Sequence, residues 1–367
     1  MTAGTGHEKV PSLGNGSAWW LGILRHYDLG AITRVEAGGG TASPKVIVTG
    51  ERGRYLLRSR RPVSSRDDVT AFDHAVIQAI ADAGVPTVKP EPSRTGQTWV
   101  RDGERAFEVF PFVESLQPFS QGNPMQTQSA AQTLARFHLA TDSLHPLGHK
   151  NWPREHRVRT MADTLAEALA GTSPFAEGLA DARYMLRSAE ELAGLLTDET
   201  VAALPQAVTH GDYTPANVLF RVDDVGGVFD FDWVSRQARA VDVGEALQFF
   251  AFTRTTALDA NSIWSLVEAW KPDAETALRF LTAYQAIWPL SEAEAAALPL
   301  FMRETWLGVR IRAMRKVPAD QRLRILTEGA LGPLRWIEGN VALIADLARE
   351  AARKSGSGAV RREGQVG

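Results

Sequence analysis

Two oxygen-bearing side chains, close together in the chain, have the types and spacing to hold a divalent cation beside a free carboxylate. The stretch runs His210-Gly211-Asp212-Tyr213-Thr214-Pro215-Ala216-Asn217. Strand-like Val218 to Val222 follows, then a turn through Asp223-Asp224-Val225-Gly226, then a second strand, Gly227 to Phe229, ending at Asp230-Phe231-Asp232. Two strand-like runs around Asp/Gly turn chemistry predict a hairpin. A hairpin brings its ends together, so Asn217 at the entry and Asp230 at the exit are expected side by side. One amide oxygen and one carboxylate facing a common point suit Mg2+, a hard cation that takes oxygen ligands. Asp212, just before the hairpin, is placed to reach a hydroxyl beside that ion. Charge neutralisation and a positioned nucleophile are what phosphoryl transfer needs. Asp232 stays open between a second metal ligand and a solvated side chain.

Such residues need a scaffold, and the chain is long enough for two lobes: 367 residues, 44% hydrophobic and 23% charged. A net charge of −3 gives no global basic field to hold nucleic acid or an anionic membrane. No apolar run approaches the roughly 18 residues of a membrane span. Cysteine is absent, which excludes disulfides, thiolate metal sites and cysteine nucleophiles. Residues 1–16 are polar and Gly/Ser-rich without a signal-peptide pattern, so they read as a disordered start to a cytoplasmic protein. The Gly/Ser/Arg-rich tail, 351–367, reads as disordered too.

Between these ends the pattern changes once. Residues 17–112 give a short helix from Ser17, strands at 33–37, 45–49 and 54–60, a helix and two further strands near 98–100 and 106–110. Ser65 with Asp68 approximates a capping box for that second helix, and Gly84 ends it. Residues 113–350 are mostly helical, interrupted by the hairpin, with helices expected at 128–141, 160–170, 175–195, 243–252, 274–288, 291–315 and 331–350. The predicted class is α+β: a small antiparallel-sheet lobe and a larger helical one. Trp264, Trp270, Trp288, Trp306 and Trp336 fall at helical spacings and read as core. Arg310, Arg312, Arg315 and Lys316 read as a solvated helix face.

The small lobe carries its own chemical signal. Asp73 shares the helical stripe of Val69 and Ile77, and a carboxylate there needs a cation. Arg58, on the preceding strand, offers one.

Asn217 follows Asp212 by five residues, the interval of the protein-kinase catalytic loop, in which the Asp accepts the hydroxyl proton and the Asn holds Mg2+. With Gly at 211 and Asp230-Phe231-Asp232 downstream, the chain resembles the aminoglycoside phosphotransferase family, whose superfamily includes choline kinases and a second type of homoserine kinase. The resemblance spans about residues 31–250. It implies a bilobal protein-kinase-like fold with ATP and Mg2+ in the cleft. Asp212 would be the catalytic base, Asn217 and Asp230 the metal ligands, and His210 a structural brace; Asp242 would steady the loop. Arg58 stands where that family usually has Lys, and Asp73 where Glu is common. Gly38-Gly39-Gly40-Thr41 lies where a phosphate-covering turn would be, or is an ordinary hairpin loop. Glu108-Val109-Phe110-Pro111-Phe112 joins the lobes, and around Phe110 and Phe112 its backbone would face adenine. The acceptor is a small molecule with a hydroxyl: an aminoglycoside-like antibiotic, an amino alcohol such as homoserine or choline, or a sugar. Rival readings are a non-catalytic nucleotide-binding module and a protein kinase; His-Gly-Asp, Asp-Phe-Asp and the lack of an Ala-Pro-Glu segment weigh against the latter.

Overall fold

The computed structural model describes residues 13–39, 43–142, 144, 150, 158–173, 175–256, 258–259 and 262–363. They form two units. The first takes the chain up to Gln78 and Val88–Glu114; the second takes Ala79–Thr87 and most of the chain from Ser115 onward. The sequence had suggested a boundary at 112/113.

The first unit contains α1 (Leu13–Leu24), β1 (Ile32–Ala37), β2 (Lys45–Gly50), β3 (Gly53–Ser59), α2 (Asp67–Asp82) as far as Gln78, β4 (Val100–Asp102) and β5 (Arg105–Pro111). The strands make one antiparallel sheet in the order β1-β2-β3-β5-β4. Its inner face follows from alternation. Val46, Val48, Tyr55 and Leu57 point one way and meet Trp20, Ile23 and Leu24 of α1 together with Phe107 and Val109. Each such side chain contributes roughly 1.5–3 kcal/mol of apolar burial. At the start of α2 the capping expectation is corrected. The Ser65 hydroxyl donates back to Arg61 O at 2.8 Å, and Asp68 pairs with Arg66. Asp67 and Asp68 instead place negative charge in the first turn, where the helix dipole favours it. The helix ends as its sequence suggests, with Val85 N–H, just past a left-handed Gly84, bonded back to Ile80 O.

The second unit contains α3 (Pro124–Asp142), α4 (Val158–Leu169), α5 (Leu179–Leu195), α6 (Asp198–Ala202), β6 (Gln206–Thr209), β7 (Val218–Arg221), β8 (Asp224–Val228), β9 (Ser235–Ala238) and α7 (Ala240–Ala246), which continues as a π-helical turn, Leu247–Ala251. Then come β10 (Thr253–Arg254), α8 (Ile263–Leu266), β11 (Trp270–Lys271), α9 (Ala274–Gln285), α10 (Glu292–Met314), α11 (Arg322–Thr327), α12 (Leu331–Gly339) and α13 (Val341–Glu363). The long α10 starts at a full capping box, Ser291 with Glu294, and packs against α7, α4, α5 and α13.

Three expectations change here. The stretch 331–350 is two helices, because Asn340 turns out of the helix and its Nδ2 caps Trp336 O at 2.7 Å. The tail does not become irregular at 351: α13 runs on to Glu363, anchored by buried Ile344, Ala345, Ala348 and Ala351. Arg310 is not on a solvated face. It is fully buried, stacks 4.4 Å over Trp306 and donates to the carbonyls of Ile325, Leu326 and Glu328, which α11 leaves open at its C-terminal end. Trp270 and Trp306 are core residues, in edge contact with each other.

Candidate functional site

The motif residues occupy the opening of a hairpin within a hairpin. β6 pairs with β9, closing at Thr209 and Ser235, and the β7–β8 ladder inside closes at Val218 and Val228. Two segments, 210–217 and 229–234, are thus left between the ladders and held from both sides. The outer ladder is the part the sequence reading missed. The inner turn is also tighter than expected: Arg221 faces Asp224, so only Val222 and Asp223 turn, with Val222 at φ 58°. Gly226 is the bulge residue of β8 rather than part of the turn.

Phe229 N–H donates to Asn217 O at 2.9 Å, which sets Asp230 beside Asn217 at the mouth of the inner ladder. Asn217 Nδ2 donates to the Asp212 carboxylate at 2.8 Å and to Asp212 O at 3.0 Å. The amide is oriented by these bonds, with Oδ1 left as its acceptor. Asp230 holds left-handed backbone angles, φ 61° and ψ 72°, a strain worth about 1–3 kcal/mol in a residue with a Cβ. Phe231, next in line, is buried against His210 and Phe137. Asp232 is buried rather than solvated, and the buried Lys150 donates to its carbonyl at 2.7 Å; nothing in the sequence pattern singled out Lys150.

Two groups fix the loop. His210 is fully buried; its Nε2–H donates to Phe229 O at 3.0 Å, and its Nδ1 accepts Asp212 N–H at 3.3 Å. That pattern requires the neutral ring. Burial pushes its pKa down, against the charges of Asp242, Asp212 and Asp230. Asp242, buried on α7, accepts His210 N–H at 2.6 Å and Gly211 N–H at 2.9 Å and meets His138 Nε2 at 3.1 Å. Gly211 sits at φ 75°, and a Cβ there would lie 2.6 Å from Trp233 O, so the position admits only glycine.

The Asp212 carboxyl is pushed up by burial and then by the charge of Asp230, against His210, Arg312 and the Asn217 hydrogen bond. Two carboxylates whose charges oppose each other, with an amide oxygen beside them, form a set of hard oxygen donors that a divalent cation would relieve. The set fits Mg2+. Glu245 on α7 accepts Tyr213 N–H at 3.0 Å. It is pushed up to about 8 by burial and by Asp212 and Asp242, against Arg312.

The first unit holds a separate charged cluster. Asp73 meets Arg60, two residues beyond the expected Arg58, and Arg60 Nη1 donates to Glu108 at 2.7 Å. Arg58 pairs with the same Glu108 at 2.6 Å, its cross-strand neighbour in the β3–β5 register. His74 Nε2 lies 2.7 Å from Glu108 as well. Burial works against the charge on Glu108, yet Arg58, Arg60 and the His74 hydrogen bond hold its pKa well below the usual carboxylate range. The sequence reading gave Asp73 to Arg58; Arg60 and Glu108 were missed. The signal was there, since Arg58 and Arg60 lie two apart, the strand spacing for one face. Arg58 lies 5.7 Å over the Phe110 ring and Arg54 4.5 Å over Phe112. Phe112 N–H is already spent on Arg54 O at 2.9 Å, which removes it from the groups that could face a nucleobase. Gly39 is exposed after β1, and Gly40 and Thr41 lie outside the described residues.

Among the described residues no helix is long and apolar enough to cross a membrane. Residues 33–298 match the model of the phosphotransferase enzyme family. A homoserine kinase of Rhodopseudomonas palustris (strain TIE-1) is 28% identical over 349 residues, covering 90% of this chain and 94% of that protein. Among solved structures, a microcompartment-associated aminopropanol kinase superposes with a TM-score of 0.67 at 17% identity, over 90% of this chain and 98% of its own. An amicoumacin kinase solved with AMP-PNP, Ca2+ and its antibiotic gives 0.61 at 14%, over 89% and 93%.

Proposed function

Because the chain belongs to the phosphotransferase enzyme family and is an ATP-dependent small-molecule kinase of protein-kinase-like fold, we propose that it phosphorylates the side-chain hydroxyl of an amino acid of the homoserine type. What supports this acceptor is the likeness to homoserine kinases along nine-tenths of the chain. What carries the mechanism is the Asp212 carboxylate, held by the Asn217 amide at 2.8 Å beside Asp230.

Asp212 acts as the base. Its raised proton affinity, from burial and from Asp230, suits a group that must take a proton from a hydroxyl as the new P–O bond forms. Asn217 Oδ1 and the Asp230 carboxylate would hold Mg2+, which when bound neutralises charge on the nucleotide's phosphates. His210 and Asp242 hold the loop and take no proton. In the first unit, Arg58 is assigned to nucleotide phosphate, steadied by Glu108; the guanidinium that closes on Asp73 is Arg60.

The test is ATP-dependent formation of a phosphomonoester from L-homoserine, followed by 31P NMR and coupled ADP release, against choline, ethanolamine, a hexose and an aminoglycoside. L-Homoserine is expected to have the highest kcat/KM. Asp212→Asn, with an unchanged circular dichroism spectrum, is expected to lose on the order of 10²–10⁴ in kcat. Wild-type turnover in that variant refutes the assignment of Asp212; preference for another hydroxyl refutes the acceptor.

A further inference from the structure

The backbone around Asp212 hangs from side chains. Residues 210–213 belong to no helix or strand, so their N–H groups need other acceptors. His210 and Gly211 donate to the two carboxylate oxygens of Asp242 at 2.6 and 2.9 Å. Asp212 donates to His210 Nδ1 at 3.3 Å, and Tyr213 donates to Glu245 Oε2 at 3.0 Å. Asp242 and Glu245 are three residues apart on α7, so one face of that helix supplies three of the four acceptors.

The Glu245 bond falls on the peptide unit that carries the base. Asp212 C=O and Tyr213 N–H lie in one plane, with Asp212 Cα at its edge. On the carbonyl side, Asp212 O accepts Thr214 N–H at 3.0 Å and Asn217 Nδ2 at 3.0 Å. The same Asn217 amide reaches the Asp212 carboxylate at 2.8 Å. Tilting the plane would therefore move Asp212 and break the bonds that orient Asn217. The Tyr213 side chain, fully buried with its hydroxyl on Ala130 O of α3 at 2.9 Å, fixes where the loop lies. The tilt of the plane is left to Glu245. Glu245 is only 5% exposed, and burial, with Asp212 and Asp242, pushes its pKa up to about 8. At pH 7 it is mostly the neutral acid, which still accepts through its carbonyl oxygen and spares an ionised Asp212 one more negative neighbour.

We infer that Glu245 is a positioning residue for the transfer step: by accepting the Tyr213 N–H it fixes the peptide plane that aims the Asp212 carboxylate at the acceptor hydroxyl. It acts through Tyr213 rather than on the reactants. What the geometry requires at 245 is a hydrogen-bond acceptor of the right reach, not a negative charge. The inference rests on Asp212 as the base and holds for any acceptor hydroxyl.

Three replacements separate the hydrogen bond from charge and bulk. Glu245→Gln keeps a carbonyl oxygen at the same reach. Glu245→Leu fills much of the space without an acceptor, and Glu245→Asp draws the carboxyl back by one methylene. kcat and KM are measured for ATP and for whichever of L-homoserine, choline, ethanolamine, a hexose and an aminoglycoside the wild type turns over fastest. Hydrogen–deuterium exchange is followed on a peptide spanning 210–217. Glu245→Leu should lose on the order of 10- to 100-fold in kcat while both KM values stay within about twofold. Its 210–217 amides should exchange faster while those of α13 do not, a separation that a general structural defect would not produce. Glu245→Gln should bring kcat back to within about threefold of wild type. Glu245→Asp should fall between the two and serves in place of leucine should that variant fail to fold. A folded leucine or aspartate variant with wild-type kcat overturns the inference. So does a glutamine variant that falls as far as leucine, because charge or packing would then be at work. Asp212→Asn is assayed alongside. If it turns over like wild type, the base assignment falls and takes this inference with it; if it is inactive while Glu245→Leu keeps full kcat, only the role of Glu245 is refuted.

Discussion

Replacing Asp242 by asparagine tests whether the loop carrying Asp212 is held from α7. Asp242 is fully buried and accepts two backbone N–H groups, His210 at 2.6 Å and Gly211 at 2.9 Å, besides facing His138 Nε2 at 3.1 Å. Asparagine is nearly the same size, so no cavity opens. Its single carbonyl oxygen can take one of the two N–H groups, and its NH2 is turned against the other. One buried donor is then left without a partner, at about 1–3 kcal/mol, and the remaining bond loses its charge assistance, about 1 kcal/mol more. Losing the Asp242 charge also relieves its repulsion of Glu245. Glu245 is pushed up to about 8 and so is mostly protonated at pH 7, which makes that relief small there. The lost hydrogen bond wins. The expected net loss at pH 7 is about 2–4 kcal/mol, read from urea denaturation followed by tryptophan fluorescence. At 20 °C, where the folded form still dominates, kcat should fall at least tenfold while the KM for ATP changes little, because the loop positions the base. A variant within about 0.5 kcal/mol of wild type with full turnover would refute the bracing argument.

Two further outcomes follow from buried charges. Arg60→Met removes the guanidinium that closes on Asp73 and Glu108, both fully buried, and should cost about 3–5 kcal/mol of stability. Arg58→Met should cost less, about 1–2 kcal/mol, since Glu108 keeps Arg60 and His74, and denaturant midpoints of the two variants decide the order. The pH dependence of stability without ligands has a sign fixed by Glu304, which faces Arg312 and whose folded pKa of about 8 exceeds the ordinary 4.5. Between those values the unfolded chain has released a proton that the folded chain still holds, so stability falls as pH rises through the window and levels off above about 8. Glu304→Gln should flatten part of that slope; Glu245 and Asp212, raised in the same sense, keep the rest. His210 acts oppositely: its lowered pKa makes stability fall as pH drops below 6.5, in variant and wild type alike. A variant-minus-wild-type curve that is flat from pH 5 to 9 would refute the Glu304 argument.

What could be read in the sequence follows from how local each feature is. Asp212, Asn217 and Asp230 lie within one short segment, and a hairpin suffices to bring them together. The α+β class was legible for a similar reason, from strand periodicity before residue 112 and helical periodicity after it. The pairing of β6 with β9 was not, because Gln206–Thr209 and Ser235–Ala238 are each four residues long and the chain between them is occupied by a hairpin of its own. Arg60 and Glu108 escaped the sequence reading because four charged residues, Arg58, Arg60, Glu108 and Asp73 of α2, gather in one cluster, and sequence spacing alone does not rank their pairings. The helical tail past Ala351 was hidden by its Gly, Ser and Arg content. Periodically placed Ile344, Ala345, Ala348 and Ala351, buried along the preceding turns, anchor the helix that carries it.

Arg312 shows the same limit from the other direction. In the sequence it looked like one more cation on a basic, solvated run with Arg310, Arg315 and Lys316. The absence of a side chain at Gly308 leaves room for its guanidinium beside that residue, and its charge reaches the carboxyls of Asp212 in the loop and Glu245 on α7, the helix packed on α10. Spacing along one helix predicts which residues share a face, but not which loop or second helix is packed against that face, so an influence that crosses from α10 to the 210–217 segment is visible only once the chain is folded.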